Sequence, residues 1–407
     1  MTHDHSDLLW RTEAVDHVLG HRETMIGELG TESVPLDEIE GRILAEPIVS
    51  EQDVPTHDHA TMDGYAFDAT GEYPFELVEE DQFPEDAPGS IEPGEAVRIA
   101  TGAPLPEGAN AVLKQEEATV EGGRLRGAPT EPGTYTYEQG SNLEAGERLF
   151  DAGERFSPKD GILLGDLELD AVTVYERFST GVLATGTEIH EGTIPDLDSP
   201  MLSGLVRSWG GDATYEGSVP DEYDRVESTI DRLAGEYDVV LTTGGTSVGP
   251  KDYVIRALDA LGEVVFHRVR IRPGKPIALA HLPDHDAVAF AIPGKPIGAH
   301  TVSTFVMRPF FVGDNALPTL PATFARDVTL GPEGFEYAVP VVLDGDDGRT
   351  AMPLGHEDSA LSVYDRQFDP SVLSSSSRGS RADGVVLTRS AIDEGEAVEV
   401  VPYPVLE

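Results

Sequence analysis

Between residues 178 and 313, short apolar runs of the kind that form buried strands alternate with stretches of helical periodicity. This alternation constrains the fold more than any other feature of the chain. The run 182–184 ends in Thr185-Gly186-Thr187-Glu188. Ser199 is a good N-cap and Pro200 suits a first helical position, so a helix is predicted there. Its apolar face would be Leu202, Leu205, Val206 and Trp209, with Gly210-Gly211 ending it. Val226, Ile230 and Leu233 mark a second helix, and Ile255, Leu258 and Leu261 a third, closed by Gly262. The run 238–242 leads into Gly244-Gly245. Runs 264–269 and 277–282 flank Arg272-Pro273-Gly274-Lys275-Pro276, and run 287–292 precedes Pro293-Gly294-Lys295-Pro296 and a helix through Phe305. Strands alternating with helices predict a largely parallel, doubly wound α/β sheet.

The flanks read differently. Leu8, Leu9, Thr12, Val15, Val18 and Leu19 predict an amphipathic helix over 7–20. Residues 30–60 carry short apolar runs broken by Pro35, Gly41, Pro47 and Pro55, and the pattern from about 70 to 150 is strand and turn, a β-rich region. After about 315 the helical signal disappears; runs 337–343 and 384–401 predict a small β domain, with the Ser-rich segment 374–383 (containing Arg378 and Arg381) expected as a mobile loop. A chain of 407 residues is too long for one ordinary domain, and 39% apolar residues can supply several cores.

Composition excludes several function classes. The 75 acidic against 28 basic residues give a net charge of −47, spread along the chain, which repels phosphate backbones and excludes nucleic acid as a partner. It also implies adaptation to high salt, where screening relieves self-repulsion. With no cysteine, disulfides, thiolate metal sites and a cysteine nucleophile are excluded. No basic segment followed by an apolar run opens the chain, and no apolar stretch approaches the roughly 20 residues needed to cross a bilayer, so a cytoplasmic protein with no membrane association is expected. His3, His5, His57 and His59 lie too close together, or too near a terminus, for a defined metal site.

Doubly wound sheets bind ligands at the carboxyl ends of their strands, where four Gly- or Pro-containing turns are expected here. In Thr243-Gly244-Gly245-Thr246-Ser247-Val248-Gly249, glycines let backbone N–H groups converge on an anion at a helix start, although one such turn alone can be merely a tight turn. Lys275 and Lys295 each sit in a Pro-Gly-Lys-Pro turn, stiff enough to aim an ammonium at an oxyanion; the alternative is a solvated surface lysine. Glu188 and Asp252 would repel a phosphate unless a hard cation such as Mg²⁺ bridged them to it, and helix capping is the competing role for Asp252. Asp63, in Thr61-Met62-Asp63-Gly64-Tyr65-Ala66, falls in a distant turn.

Taken in order, these segments resemble the MoeA family, which includes the gephyrin E domain. The matching residues are Val34-Pro35-Leu36 through Gly41-Arg42-Ile43-Leu44-Ala45, Met62-Asp63-Gly64-Tyr65-Ala66, and Arg98-Ile99-Ala100-Thr101-Gly102-Ala103-Pro104-Leu105-Pro106 with Gly108, Ala109 and Glu116. Thr185-Gly186-Thr187-Glu188, the Gly244–Gly249 turn with Asp252-Tyr253, and the two Pro-Gly-Lys-Pro turns complete the set. The resemblance implies an N-terminal helix (1–24) associated with the α/β domain, a small domain from 25–50 and 141–175, an inserted β-rich domain (51–140), a molybdopterin-binding α/β domain (176–314) and a C-terminal β domain (315–407).

It further implies a homodimeric transferase that takes adenylylated molybdopterin and molybdate, or tungstate, and releases AMP and molybdenum cofactor. A molybdopterin adenylyltransferase is the implied interaction partner. Asp63, Thr101, Glu188 and Asp252 would be catalytic, with Glu188 and Asp252 on Mg²⁺. Gly244, Gly245, Thr246, Ser247, Gly249, Arg272, Lys275, Pro293, Lys295 and Pro296 would bind the molybdopterin. Three residues depart from the family pattern: Asn142 where an acid is usual, Asp198 where Asn is usual, and Lys295 where Asn is usual. They leave a drifted or tungstate-using paralogue open. An adenylyltransferase, whose single domain resembles 178–313, and a non-catalytic molybdopterin-binding scaffold are the alternatives from other classes; the extra domains and the Asp63 and Thr101 motifs speak against the former.

Overall fold

Apolar side chains collect into separate cores, and the chain divides accordingly into two compact units, residues 33–174 and residues 1–32 with 175–407. The structure, a computed structural model, describes residues 8–246, 253–345 and 348–407. In the 33–174 unit, one core gathers Val34, Ile39, Leu44, Phe150, Phe156, Leu164, Val172 and Val174, from the two ends of that stretch. Between them lies a separate sheet of β1 (Gly64–Phe67), β2 (Phe75–Leu77), β3 (Glu95–Ile99), β4 (Ala111–Lys114), β5 (Thr119–Glu121) and β6 (Arg124–Arg126), in the order β4-β1-β3-β2-β6-β5. The buried Phe67, Phe75 and Leu125 fill one of its faces. β1 and β3 pair antiparallel with Gly64 opposite Ile99, a register that sets the residue before β1 beside the turn after β3.

The larger unit opens with α1 (Arg11–Ile26), which starts later and runs longer than the periodicity predicts. The Glu13 carboxylate accepts the Trp10 backbone N–H at 2.7 Å and fixes the start, and Leu9 lies in a bridge with Val269. Buried Ala14, Val15, Val18 and Met25 carry the apolar face one turn beyond the expected end.

The α/β sheet comprises β7 (Ser179–Thr185), β8 (Asp212–Val219), β9 (Val239–Thr243), β10 (Glu263–His267), β11 (Ala278–Leu282) and β12 (Ala287–Ile292), in the order β8-β7-β9-β12-β11-β10. β8, β7, β9 and β12 are parallel; β11 runs against both its neighbours. β9 and β12 are buried at every residue, as central strands covered on both faces must be. Between the strands lie α2 (Thr187–His190), α3 (Asp198–Ser208), α4 (Tyr223–Ala234) and α5 (Tyr253–Leu261), and α6 (Pro296–Val302) follows β12. The sequence-expected faces of α3 and α4 are the buried ones, whereas α5 buries Val254, Ala257 and Leu258 and leaves Ile255 and Leu261 partly covered. α3 begins at Asp198, not after Ser199. Its cap is the Asp196 carboxylate, which accepts the N–H groups of Asp198 and Ser199 at 3.2 and 3.0 Å.

The C-terminal strands β13 (Leu320–Phe324), β14 (Glu336–Asp344), β15 (Thr350–Pro353), β16 (Gly384–Thr388) and β17 (Ala397–Pro402) close on themselves in the order β14-β15-β13-β17-β16-β14, a small barrel. Tyr403 and Leu406 from its end join the α/β core, and the Trp209 indole donates to the Leu406 carbonyl. The expected mobile loop is instead folded. Ser377–Arg381 forms a short helical turn, the Ser374 carbonyl accepts the Ile297 N–H at 3.0 Å, and Gly379 packs on Ile297 so closely that a Cβ there would lie 2.7 Å from it.

Candidate active site

Three of the predicted turns leave strands at the carboxyl edge of the sheet: Thr185-Gly186 after β7, Thr243-Gly244 after β9 and Pro293-Gly294 after β12. The fourth, Arg272–Pro276, lies between the carboxyl end of β10 and the start of β11. Because β11 is antiparallel, its start comes to the same edge. A cavity of about 600 Å³ opens there, walled by these turns together with Glu188, Asp196, Asp198, Asp221 and Ser374.

The walls are made by close backbone approach. Gly244 has φ +92°, and a Cβ on it would lie 2.6 Å from the Thr185 carbonyl oxygen. Gly294 meets it from the other side, where a Cβ would lie 3.2 Å from the Gly244 Cα. Only glycine satisfies both constraints at 244. The Thr185 hydroxyl donates to the Thr243 carbonyl at 3.0 Å and ties the first turn to the second.

Of the predicted molybdopterin-binding residues, Gly244, Gly245, Thr246, Pro293, Lys295 and Pro296 line this cavity. The Lys295 ammonium donates to the Ser371 carbonyl at 3.1 Å, so the segment that crosses from the barrel holds it. Arg272 and Lys275 are placed differently. Their turn lines the cavity through Gly274 and Pro276, while the Arg272 guanidinium stacks 4.2 Å from the Phe335 ring centre and the Lys275 ammonium lies 5.7 Å from it. Burial, then the charges of Arg268 and Arg272, push the Lys275 ammonium below its ordinary range. Ser247, Gly249 and Asp252 lie outside the described residues.

Glu188 lies on α2 at the cavity wall. Asp221 and Asp196, which sequence reasoning missed, share that wall. Asp221 follows β8, its N–H donates to the Thr187 hydroxyl at 3.1 Å, and its carboxylate accepts the Thr187 N–H at 3.4 Å. The missed strand explains the missed residue: β8 is a half-exposed edge strand, Asp212-Ala213-Thr214-Tyr215-Glu216-Gly217-Ser218-Val219, too polar to read as buried. The available signal was the Val219-Pro220-Asp221 break between two predicted helices.

Asp198 is 6% exposed, and its carboxylate accepts the Thr243 hydroxyl at 3.0 Å. Burial, opposed by that hydrogen bond and reinforced by the Asp196 charge, pushes its carboxyl up to about 6.

Asp63 and Thr101 belong to the other unit and meet each other there. The Thr101 backbone N–H and hydroxyl both donate to Asp63 Oδ1, at 2.7 and 2.8 Å. These two bonds, with a smaller contribution from Arg98, hold the exposed carboxyl below its usual range. In the same unit, the departing residue Asn142 donates to the Asp166 carboxylate at 2.6 Å.

Oxygen donors dominate the α/β cavity, with one ammonium among its lining residues, a composition suited to an anionic ligand accompanied by a hard cation. Among the described residues no group of three His, Asp or Glu side chains is arranged to hold a metal by itself. No helix among the described residues is long and apolar enough to cross a membrane.

The fold and site thus define a doubly wound α/β protein with a cavity at its strand ends, carrying an inserted β-rich unit and a C-terminal barrel. Residues 11–167 match the family model of the MoeA N-terminal region (domain I and II), and residues 181–312 match that of the probable molybdopterin binding domain. A molybdopterin molybdenumtransferase of Haemophilus influenzae is 31% identical over 294 residues, 66% of this chain and 69% of that one. One from Synechococcus elongatus is 29% identical over 304 residues, 70% and 75% of the two chains. The crystal structure of a molybdopterin biosynthesis MoeA protein from Pyrococcus horikoshii superimposes with a TM-score of 0.76 at 27% identity, covering 98% of this chain and 99% of that one. The chain belongs to the MoeA family.

Proposed function

We infer that this chain is a molybdopterin molybdenumtransferase, inserting molybdenum into molybdopterin during molybdenum cofactor biosynthesis. Family membership supports the activity. The observation that carries it to particular residues is the cavity at the strand ends, where Gly244, Gly245 and Thr246 meet Glu188 and Lys295. In this reading the substrate is adenylylated molybdopterin, and cleavage of its phosphoanhydride releases AMP. Backbone N–H groups of the Gly244 turn hold a phosphate. Lys295 sits among the lining residues as a fixed positive charge. The dithiolene sulfurs belong to the substrate, so a chain without cysteine can still deliver the metal.

Glu188 and Asp252 would hold Mg²⁺, and Asp221 shares the cavity wall with Glu188. The cation would offset the phosphate charge that the carboxylates otherwise repel. Asp63, kept ionised by Thr101, is assigned to placing the oxyanion or water, in a homodimer whose partner supplies that unit.

The test is direct. Purified protein is given adenylylated molybdopterin, Mg²⁺ and either molybdate or tungstate, and AMP is measured. AMP release that falls by about 10² or more in Asp252→Asn, without loss of stability, supports the reading. Wild-type release with unchanged Mg²⁺ dependence in Asp252→Asn removes that residue from the site, and no release by the wild type favours a scaffold.

A further inference from the structure

The placement of Asp198 is not explained by helix capping. The residue is buried and lines the cavity, yet it takes no part in capping α3, because Asp196 does that. Its Oδ2 accepts the Thr243 hydroxyl, and its Oδ1 is buried with no hydrogen-bond partner among the described residues. A buried carboxyl oxygen without a partner is costly, and such groups persist where a ligand completes them.

Among the described residues no cation is paired with Asp198. Asp196 precedes it on the loop and acts on it as a like charge. β7 and β9 carry no titratable side chain. On β8, Tyr215 is turned toward Asp196, while Glu216 is bound by Arg232 and Tyr237. On α3 itself, Arg207 donates to the Ala213 carbonyl. At α6, Lys295 is held by the Ser371 carbonyl and His300 by Glu407. Glu188 and Asp221, also on the cavity wall, add negative charge.

We propose that Asp198 is a ligand-contacting residue of this cavity: a phosphate-bearing ligand enters with uptake of one proton onto its free oxygen, and the resulting carboxylic acid donates a hydrogen bond to the ligand. The proton comes from solvent, and no covalent bond changes. An ionised Asp198 would face the incoming anion across a site of low dielectric, where like charges repel far more than in water. The protonated acid removes that repulsion and presents a donor, as an Asn at the same place would. Its upward-shifted carboxyl makes the uptake accessible near neutral pH.

The inference rests on reading the cavity as a phosphate site, and AMP as the probe separates the two. AMP binding is measured by titration calorimetry without Mg²⁺, at constant ionic strength, from pH 6 to 8, in buffers of differing ionisation enthalpy. The ligand phosphate itself titrates near pH 6, a contribution common to all variants. The expected result is that wild-type affinity falls between pH 6 and 8 by about tenfold more than that of Asp198→Asn, with a proton uptake at pH 7 that the variant lacks. As a measurement needing no variant, infrared difference spectra of the wild type at pH 7 should gain a protonated-carboxyl C=O band on adding AMP. AMP binding with identical pH profiles in both proteins and no such band overturns the role of Asp198 alone. No AMP binding by either protein at any pH overturns the phosphate-site reading and this inference together.

Discussion

Replacing Asp198 with Asn removes a buried charge while preserving shape and the acceptor for the Thr243 hydroxyl, and it should stabilise the protein at neutral pH. The carboxyl stands at about 6 in the folded chain against 3.8 unexposed to the fold. Each pH unit of difference corresponds to about 1.4 kcal/mol, so the ionised Asp198 costs about 3 kcal/mol at most. The sign follows from linkage. Between those two values the folded state binds more protons than the unfolded one, so the wild type loses stability as pH rises through that window. Above about pH 7 the loss is complete, and at pH 5 it is about half complete. The Asn variant has no such term, so its advantage should grow from near zero below pH 4 to about 2–3 kcal/mol at pH 8. Thermal melts at constant ionic strength, followed by tryptophan fluorescence, report it directly, since Trp10 and Trp209 both belong to the unit that contains Asp198. Destabilisation at pH 8, or an advantage independent of pH, would refute the reasoning.

Two glycines should respond in opposite directions to alanine. At Gly244, with φ +92° and the Thr185 carbonyl 2.6 Å from a Cβ, Gly244→Ala should cost about 2 kcal/mol or more and weaken AMP binding; at Gly204, inside α3 with open space around it, Gly204→Ala should add up to about 1 kcal/mol, both read by denaturant titration. With a net charge of −47, melting temperatures should climb between about 0.1 and 2 M KCl, and a flat response would remove salt adaptation as the reason for the composition. If the site is shared between subunits of a homodimer, mixing Asp63→Ala with Glu188→Ala protein should restore part of the AMP release that each lacks; light scattering that shows only monomers in high salt would sink the shared site.

What was legible in the sequence was what short-range physics decides. Apolar periodicity located α3, α4 and the central strands β9 and β12, because a strand covered on both faces must be apolar throughout. The glycines of the Gly244 turn were legible as a site of close backbone approach for the same local reason, whereas Asp63 and Thr101 entered only through the family resemblance. Where several residues could begin a helix, the sequence alone misassigned the cap: Ser199 has the right chemistry, but the approach of Asp196 to the same N–H groups depends on the path of the preceding loop. β8 was invisible because an edge strand half exposed to solvent needs no apolar run. Tertiary structure alone decided the rest. β11 folds back against β10 and keeps the Arg272–Pro276 turn at the cavity edge, while stacking on Phe335 draws the Arg272 and Lys275 side chains aside. A Ser-rich segment that composition marks as loose is ordered by the Ile297 and Gly379 contact with the head of α6. The environment of Asp198 belongs to the same class: its residue type was plain, but whether a carboxyl is solvated or buried beside another depends on which elements fold over it, and that is a long-range fact.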